Sequence, residues 1–207
     1  MNINPTPYVL GPEEGEAFWG FGALWTLKAS AEQTGDSFSL IEEVAPGGEG
    51  TPLHAHPEDD ETFYVLEGEL TFYLGDDPPT PASAGSFVHI PGGVVHAFQV
   101  DSETARYLIL TTPQHERFYR AISEPAQTWS LPPEELPDME KVEAAAQEYK
   151  VEILGPHRAL RPREPASPKQ RVSRLHGERT RPPILRPFSE SFTKLLLWKS
   201  GFREELF

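Results

Sequence analysis

The pattern of apolar and polar residues predicts a series of short strands. Runs rich in β-branched and aromatic residues recur between clusters of Gly, Pro and Asp. Such runs, closely spaced and joined by Gly/Pro turns, are typical of a β-sandwich or β-barrel. The sequence therefore predicts an all-β domain. The predicted strands are 23–28, 38–44, 62–66, 70–74, 87–90, 94–100 and 106–111.

The pattern changes after the last of these strands. Apolar residues at helical spacing predict a short amphipathic helix over 114–122, and a proline-rich connector follows at 125–137. A second helix is expected over 138–149, with Asp138 as its N-cap. Residues 151–154 are expected to add an edge strand. The sequence thus predicts a β-sandwich or β-barrel followed by short C-terminal helices.

Charge divides the chain at about residue 157. The formal net charge of −14 combines −21 in residues 1–157 with +7 in residues 158–207. We therefore expect one domain over 1–157 and a basic Pro/Arg-rich tail over 158–207 that is poorly ordered. The acidic body would repel nucleic acids and anionic membranes, which excludes both as expected partners. Within the tail, the apolar patch 192–198 is expected to dock onto the barrel.

Other features of the composition exclude further classes. The chain has no cysteine, which excludes disulfides, thiolate metal sites and a cysteine nucleophile. The first five residues show no secretory signal, and no run of apolar residues is long enough to span a membrane. We therefore expect a cytoplasmic protein.

Candidate chemistry is concentrated in four residues. His54 and His56 are two apart, so both imidazoles project from one face of an extended strand. Glu61 opens the next strand, and His96 follows the turn at 91–93. Three imidazoles and one carboxylate suit Fe, Mn, Ni, Co, Cu or Zn better than Ca. An octahedral metal held this way would keep two positions open for water, substrate or dioxygen.

The spacing of these residues resembles a known family. The segment from Gly48 to Gly68 reads Gly-x5-His-x-His-x4-Glu-x6-Gly and resembles the first cupin motif. The segment from Gly85 to His96 reads Gly-x5-Pro-x-Gly-x2-His and resembles the second. The second motif usually ends in Asn, and Val100 stands at that position here. With the strand pattern, the resemblance extends over about residues 25–112.

The resemblance implies a fold and a cofactor. The fold would be a cupin jelly-roll β-barrel, also called a double-stranded β-helix. One divalent transition metal of undetermined identity would be bound by the four residues His54, His56, Glu61 and His96. Cupins also commonly pair through strand edges, so the resemblance implies a possible homodimer.

Two segments outside the motifs narrow the resemblance. Residues 116–126 and 151–156 are similar to the C-terminal extension of bacterial single-domain cupins of the quercetin dioxygenase type. The implied function is a dioxygenase that cleaves a flavonol-like or other enolisable aromatic substrate, with Glu61 as both metal ligand and base. The aromatic residues expected to line the substrate pocket, or else to pack in the barrel core, are Phe63, Phe98, Phe72 and Trp25.

Alternative readings remain open. The chain could be a small-molecule-binding or metal-binding cupin without turnover, or an isomerase or lyase that uses the metal as a Lewis acid. Oxygen uptake, anaerobic turnover and ligand-dependent stabilisation alone would distinguish the three. His89 is expected to be a surface or structural residue and His115 a surface residue, and His157 and His176 carry no functional signal.

Overall fold

Two antiparallel sheets pack face to face in the computed structural model, which describes residues 6–133 and 137–155. The strands are β1 (Glu16–Gly20), β2 (Ala23–Ala29), β3 (Ser39–Pro46), β4 (Leu53–Ala55), β5 (Glu61–Glu67), β6 (Glu69–Leu74), β7 (Thr80–Ser83), β8 (Phe87–Ile90), β9 (His96–Val100), β10 (Thr104–Thr111), β11 (Glu124–Pro125) and β12 (Glu152–Gly155). The helices are α1 (Ala31–Thr34), α2 (Pro113–Ile122) and α3 (Met139–Glu148).

The order of the strands is that of a jelly roll. One sheet has the order β11-β1-β2-β3-β10-β5-β8, and the other has the order β12-β4-β9-β6-β7. The pairs β3–β10, β4–β9, β5–β8 and β6–β7 are nested, as in a long hairpin rolled into two sheets. The predicted all-β jelly-roll fold with short C-terminal helices is therefore confirmed.

Aromatic side chains fill the space between the sheets. Phe63 of β5 packs edge-on against Phe72 of β6, with 5.0 Å between ring centroids. Phe98 of β9 contacts both Phe63 and Tyr107 of β10 at 5.5 and 5.7 Å. Each such pair contributes roughly 0.5–1.5 kcal/mol beyond the burial of its surface. The barrel interior is thus a packed core at the level of these rings.

The structure adds elements that the sequence pattern did not reveal. All seven predicted strands and the expected edge strand are present, while β1, β4, β7, β11 and α1 were not among the predicted ranges. The β7 strand contains Pro81 and follows two further prolines, which hid it in the pattern. Pro81 is tolerated because β7 lies at a sheet edge, where a missing backbone N–H need not break a hydrogen bond between strands.

A motif glycine is required at the turn between β5 and β6. Gly68 has a φ of +83°, and a Cβ there would lie 2.5 Å from both Ser102 Oγ and Thr104 O. Any other residue would therefore be strained and would also clash. This close approach packs the β5–β6 turn against the start of β10.

Helices α2 and α3 pack together over one side of the barrel. The side chain of Thr112 caps α2 by accepting from the backbone N–H of His115. Asp138 caps α3 as predicted, accepting from the N–H groups of Glu140 and Lys141. Phe118 of α2 is buried against α3 and the segment leading to β12. The two helices therefore form a cover beside the ligand-bearing strand β4, which pairs with β12.

Some predictions fall outside the described residues. These are the tail 158–207, its apolar patch 192–198, and the histidines His157 and His176. Across 6–133 and 137–155, no helix combines the length and apolar character needed to cross a membrane.

Glu116 fixes α2 to the barrel, and its removal should destabilise the protein. Its buried carboxylate accepts hydrogen bonds from the Ala31 N–H, the Ser39 hydroxyl and Arg120 Nε. We expect Glu116→Ala to lower the free energy of unfolding by about 2–4 kcal/mol, because these donors lose their acceptor. Urea denaturation measures this change. The control Glu148→Ala, at an exposed position of α3, should change it by less than about 0.5 kcal/mol. Equal effects of the two substitutions would contradict the assignment.

Candidate metal centre

The four candidate ligands converge at one end of the barrel. His54 on β4 and His96 on β9 are direct partners in the second sheet. Glu61 begins β5 in the first sheet, so the cluster bridges the two sheets. All four side chains are buried, and one potential ligand atom from each lies within 4.8 Å of the others. A metal with ligand bonds of roughly 2.0–2.2 Å separates its ligands by about 3–4 Å, so the four atoms lie close to the separations that such a metal requires.

Backbone carbonyls orient the three imidazoles. The Nδ1 atoms of His54, His56 and His96 lie 2.9, 2.5 and 2.8 Å from the carbonyl oxygens of residues 52, 59 and 94. A carbonyl oxygen can only accept, so each ring donates from Nδ1 and directs Nε2 into the cluster. This is the arrangement found around metal-binding histidines, where the outer partner fixes the ring.

The inner atoms of the cluster are short of partners. His56 Nε2 is buried without a hydrogen-bond partner among the described residues. It lies 3.5 Å from Glu61 Oε2, while His96 Nε2 lies 3.3 Å from the same oxygen. Three imidazole nitrogens and a carboxylate that face one another in this way fit a transition-metal cation. The residues present therefore match the group that the motif implies.

Burial and charge set the protonation states at this centre. Burial lowers the pKa of His54 to about 3, so its ring is neutral and can donate a lone pair. Burial acts to raise the pKa of Glu61, but the adjacent imidazoles of His56 and His96 hold it well below its usual value. Burial also opposes protonation of His56, yet the nearby negative charge of Glu61 raises its pKa. A metal therefore competes with a proton at His56.

His115 belongs to this centre, and the expectation that it lies at the surface is wrong. It is buried in the first turn of α2, with its ring centroid 4.3 Å from that of His56. Its Nδ1 lies 3.8 Å from Glu61 Oε1 and 2.9 Å from Thr111 Oγ1. Burial lowers its pKa to about 4, so the ring is neutral. The spacing of His115, Phe118 and Ile122 on one helix face was the signal that could have identified it.

Tyr119 is a second neighbour of Glu61 that the sequence analysis did not identify. Its hydroxyl donates a 3.0 Å hydrogen bond to Glu61 Oε1. Burial, followed by the negative charge of Glu61, raises its pKa well above the usual value and keeps it protonated. Its ring packs edge-on against Trp25 at 4.8 Å. Helix α2 thus supplies both an imidazole and a phenol to the carboxylate.

The loop before Glu61 is bonded to the same helix. Asp59 is buried, and its carboxylate accepts from the Thr112 hydroxyl and, at 3.2 Å, from Gln114 Nε2. The carbonyl of Asp59 is also the partner of His56 Nδ1. The start of α2 and the ligand His56 are therefore positioned by one residue.

An apolar cavity of about 70 Å³ lies beside the centre. Trp25 and Phe98 line it, together with His54, His115 and Tyr119. The other two predicted pocket residues, Phe63 and Phe72, pack in the core and do not line this cavity. The cavity is smaller than the roughly 150 Å³ that holds benzene in a protein interior. His89, by contrast, is exposed and bonds Thr62 Oγ1 at 2.9 Å, consistent with its expected surface or structural role.

Comparisons with known proteins agree with this architecture. Residues 40–111 match the family described as the Cupin domain. A quercetin 2,3-dioxygenase of Bacillus subtilis is 30% identical over 127 residues, which are 61% of this chain and 37% of that protein. The chain therefore matches little more than a third of this relative's length.

Two solved structures to which the chain is similar have different names. A DMSP lyase from Ruegeria pomeroyi is 30% identical and covers 37% of this chain and 39% of its own, with a TM-score of 0.35. A polyketide cyclase from Streptomyces resistomycificus is 26% identical and covers 49% and 70%, with a TM-score of 0.41. The matched residues, the nested strands and the identity to the Bacillus relative together support a cupin domain over residues 40–111, in a chain that is similar to a quercetin 2,3-dioxygenase.

Proposed function

We propose that this protein is a metal-dependent dioxygenase acting on an enolisable aromatic substrate. One divalent transition metal (Fe, Mn, Ni, Co, Cu or Zn) would be held by the four residues His54, His56, Glu61 and His96. The observation that supports the proposal is the convergence of three oriented imidazoles and an ionised carboxylate beside an apolar cavity. When bound, such a metal supplies Lewis acidity, and a redox-active one also activates dioxygen.

Glu61 is proposed to act as base as well as ligand. Its carboxylate is ionised, so it can accept the proton of a substrate hydroxyl. Tyr119 donates to Oε1 and would hold the carboxylate in place during this transfer. His115, neutral and 3.8 Å from the same oxygen, is the nearest group of the cover to which the proton could pass.

The cavity favours a substrate smaller than a flavonol. About 70 Å³ is less than one aromatic ring requires, so even a single ring must displace side chains or extend through the mouth. A three-ring flavonol would require α2 and α3 to move outward. The name of the Bacillus relative supports oxygen chemistry, while the small cavity supports a single-ring or enol substrate.

A second candidate is a metal-dependent isomerase or lyase. The contacts of Tyr119 and His115 with Glu61 would suit proton transfer, which these reactions need and which requires no dioxygen. A binding protein without turnover would need the cavity and the cluster but not this set of proton-transfer groups.

The test combines metal analysis with oxygen uptake. We expect the purified chain to hold close to one equivalent of a divalent transition metal and to consume oxygen in step with the loss of a flavonol or smaller enolisable aromatic. Removal of the metal by a chelator should abolish uptake, and its return should restore it.

Other outcomes would change the assignment. Turnover under anaerobic conditions would favour the isomerase or lyase. Bound metal with ligand-dependent stabilisation and no turnover would indicate a binding protein. Failure to bind metal after reconstitution would contradict all three metal-dependent readings.

A further inference from the structure

Three polar side chains form a row across the inner face of the first sheet. Trp25 on β2 is the direct partner of Glu43 on β3, and Glu43 is the direct partner of Tyr107 on β10. Directly opposed residues project from the same face of a sheet, so the three side chains lie side by side. All three are buried. The row is polar in a barrel interior that is otherwise mostly apolar.

The donors in this row are not satisfied within the protein. Trp25 Nε1 and the Tyr107 hydroxyl are buried without a hydrogen-bond partner of good geometry in the described part of the chain. Both lie close enough to the Glu43 carboxyl to lower its pKa. A buried donor without a good partner costs about 1–3 kcal/mol. Two such donors beside one buried carboxyl leave hydrogen-bonding capacity for a polar group of a ligand.

The row opens into the cavity beside the metal centre. Trp25 and Glu43 line it, together with His54. Trp25 also packs against Tyr119, whose hydroxyl bonds Glu61, so one side chain separates the row from the candidate ligands. A ligand in the cavity can therefore reach both the polar row and the candidate metal ligands.

The charge of the cavity wall limits what the row can bind. Burial raises the pKa of Glu43 to about 7, although the nearby Tyr107 hydroxyl and Trp25 N–H act to lower it. A second carboxylate residue, Glu49, also lines the cavity. A carboxylate or phosphate group of a ligand would be repelled here, whereas a hydroxyl can both accept from N–H or O–H and donate to a carboxyl.

We propose that Glu43, with Trp25 Nε1–H beside it and the Tyr107 hydroxyl behind it, forms a second polar subsite that binds a hydroxyl group of the ligand. The ligand class is a neutral aromatic or enol with two oxygen groups, one at this subsite and one at the metal cluster. Only the contact with the metal cluster rests on the proposed function.

Simple phenols test this subsite. Isothermal titration calorimetry of the metal-loaded chain would compare phenol with catechol, resorcinol and hydroquinone, whose two oxygens span different separations. At least one dihydroxybenzene should bind about tenfold more tightly than phenol, the gain expected from one buried hydrogen bond.

Substitutions in the polar row test whether it causes the tighter binding of a dihydroxybenzene. Glu43→Leu should reduce the preference for a dihydroxybenzene to less than about twofold, and Glu43→Gln should restore part of it, because an amide still hydrogen-bonds a hydroxyl. Tyr107→Phe removes one donor with little change of shape and should reduce the preference in part. The matched control is Glu42→Gln, on the outward face of the same strand where Glu42 pairs with Arg106; it should keep the full preference.

Two results would overturn the subsite. One is wild-type protein that binds none of the dihydroxybenzenes more tightly than phenol. The other is a preference that survives both Glu43→Leu and Tyr107→Phe. If Glu43→Leu does not fold, as judged by circular dichroism, Tyr107→Phe decides. Metal content is measured on the same samples, so a chain without metal contradicts the proposed function, while the comparison of phenols still tests the subsite.

Discussion

Replacement of His96 by alanine should lower bound metal well below one equivalent while the barrel stays folded. His96 is fully buried and directs Nε2 towards Glu61 at 3.3 Å. Loss of an oriented imidazole removes one of four donors, and loss of even an outer partner of a ligand typically costs about 10–100-fold in metal affinity. Elemental analysis after reconstitution and dialysis measures the occupancy.

His89 provides the matched control for that substitution. It lies on β8, exposed, and outside the cluster. His89→Ala should retain the metal content of the wild-type protein. Unchanged metal in His96→Ala would contradict the four-ligand assignment. We expect His96→Ala to stay folded, because the cavity left by a buried side chain lowers the free energy of unfolding by only about 2–5 kcal/mol. Circular dichroism would show whether both variants keep the strand content of the barrel.

Glu61→Gln should have the largest effect on turnover. The amide can still offer an oxygen to the metal but cannot accept a proton at neutral pH. We expect kcat to fall by about 10²–10⁴-fold at saturating metal, the usual contribution of a general base. The measurement is the rate of oxygen uptake or of anaerobic substrate loss, whichever the wild-type protein supports, normalised to bound metal.

Glu58→Gln is the control for the loss of a carboxylate in the same acidic segment. Glu58 is exposed and pairs only with Lys150 among the described residues. Its substitution should leave the rate within about twofold of wild type, as expected for a surface change. A Glu61→Gln rate per bound metal equal to that of Glu58→Gln would show that Glu61 is not the base.

The strands and the ligand set could be predicted because their signals are local. The two-residue spacing of His54 and His56 places both rings on one face of a strand wherever that strand lies. Gly68 marks a turn because its backbone conformation and close contacts exclude a side chain. Such features depend on a few neighbouring residues, so a single sequence contains them.

The remainder of the site depends on tertiary packing. A helix over 114–122 was predictable, but its docking over the barrel was not, so His115 was expected at the surface. Glu42 and Glu43 are adjacent acids on one strand, and the alternation alone does not say which one faces inward. Phe63 and Phe98 both face the interior, yet only Phe98 reaches the cavity. The position of a side chain along the barrel axis cannot be predicted from its neighbours in the sequence.

The nesting of the strands has a consequence for the order of folding. His54 and His96 come from strands that become neighbours only when the chain has rolled up around the β6–β7 hairpin. Contacts between residues so distant in sequence form late, because closing the intervening loop costs entropy that only later contacts repay. A complete coordination sphere can therefore exist only in a chain that has finished its roll. A cation that binds only the completely folded chain stabilises the native state. Its binding free energy would therefore oppose the first step of unfolding, in which the strands bearing its ligands separate.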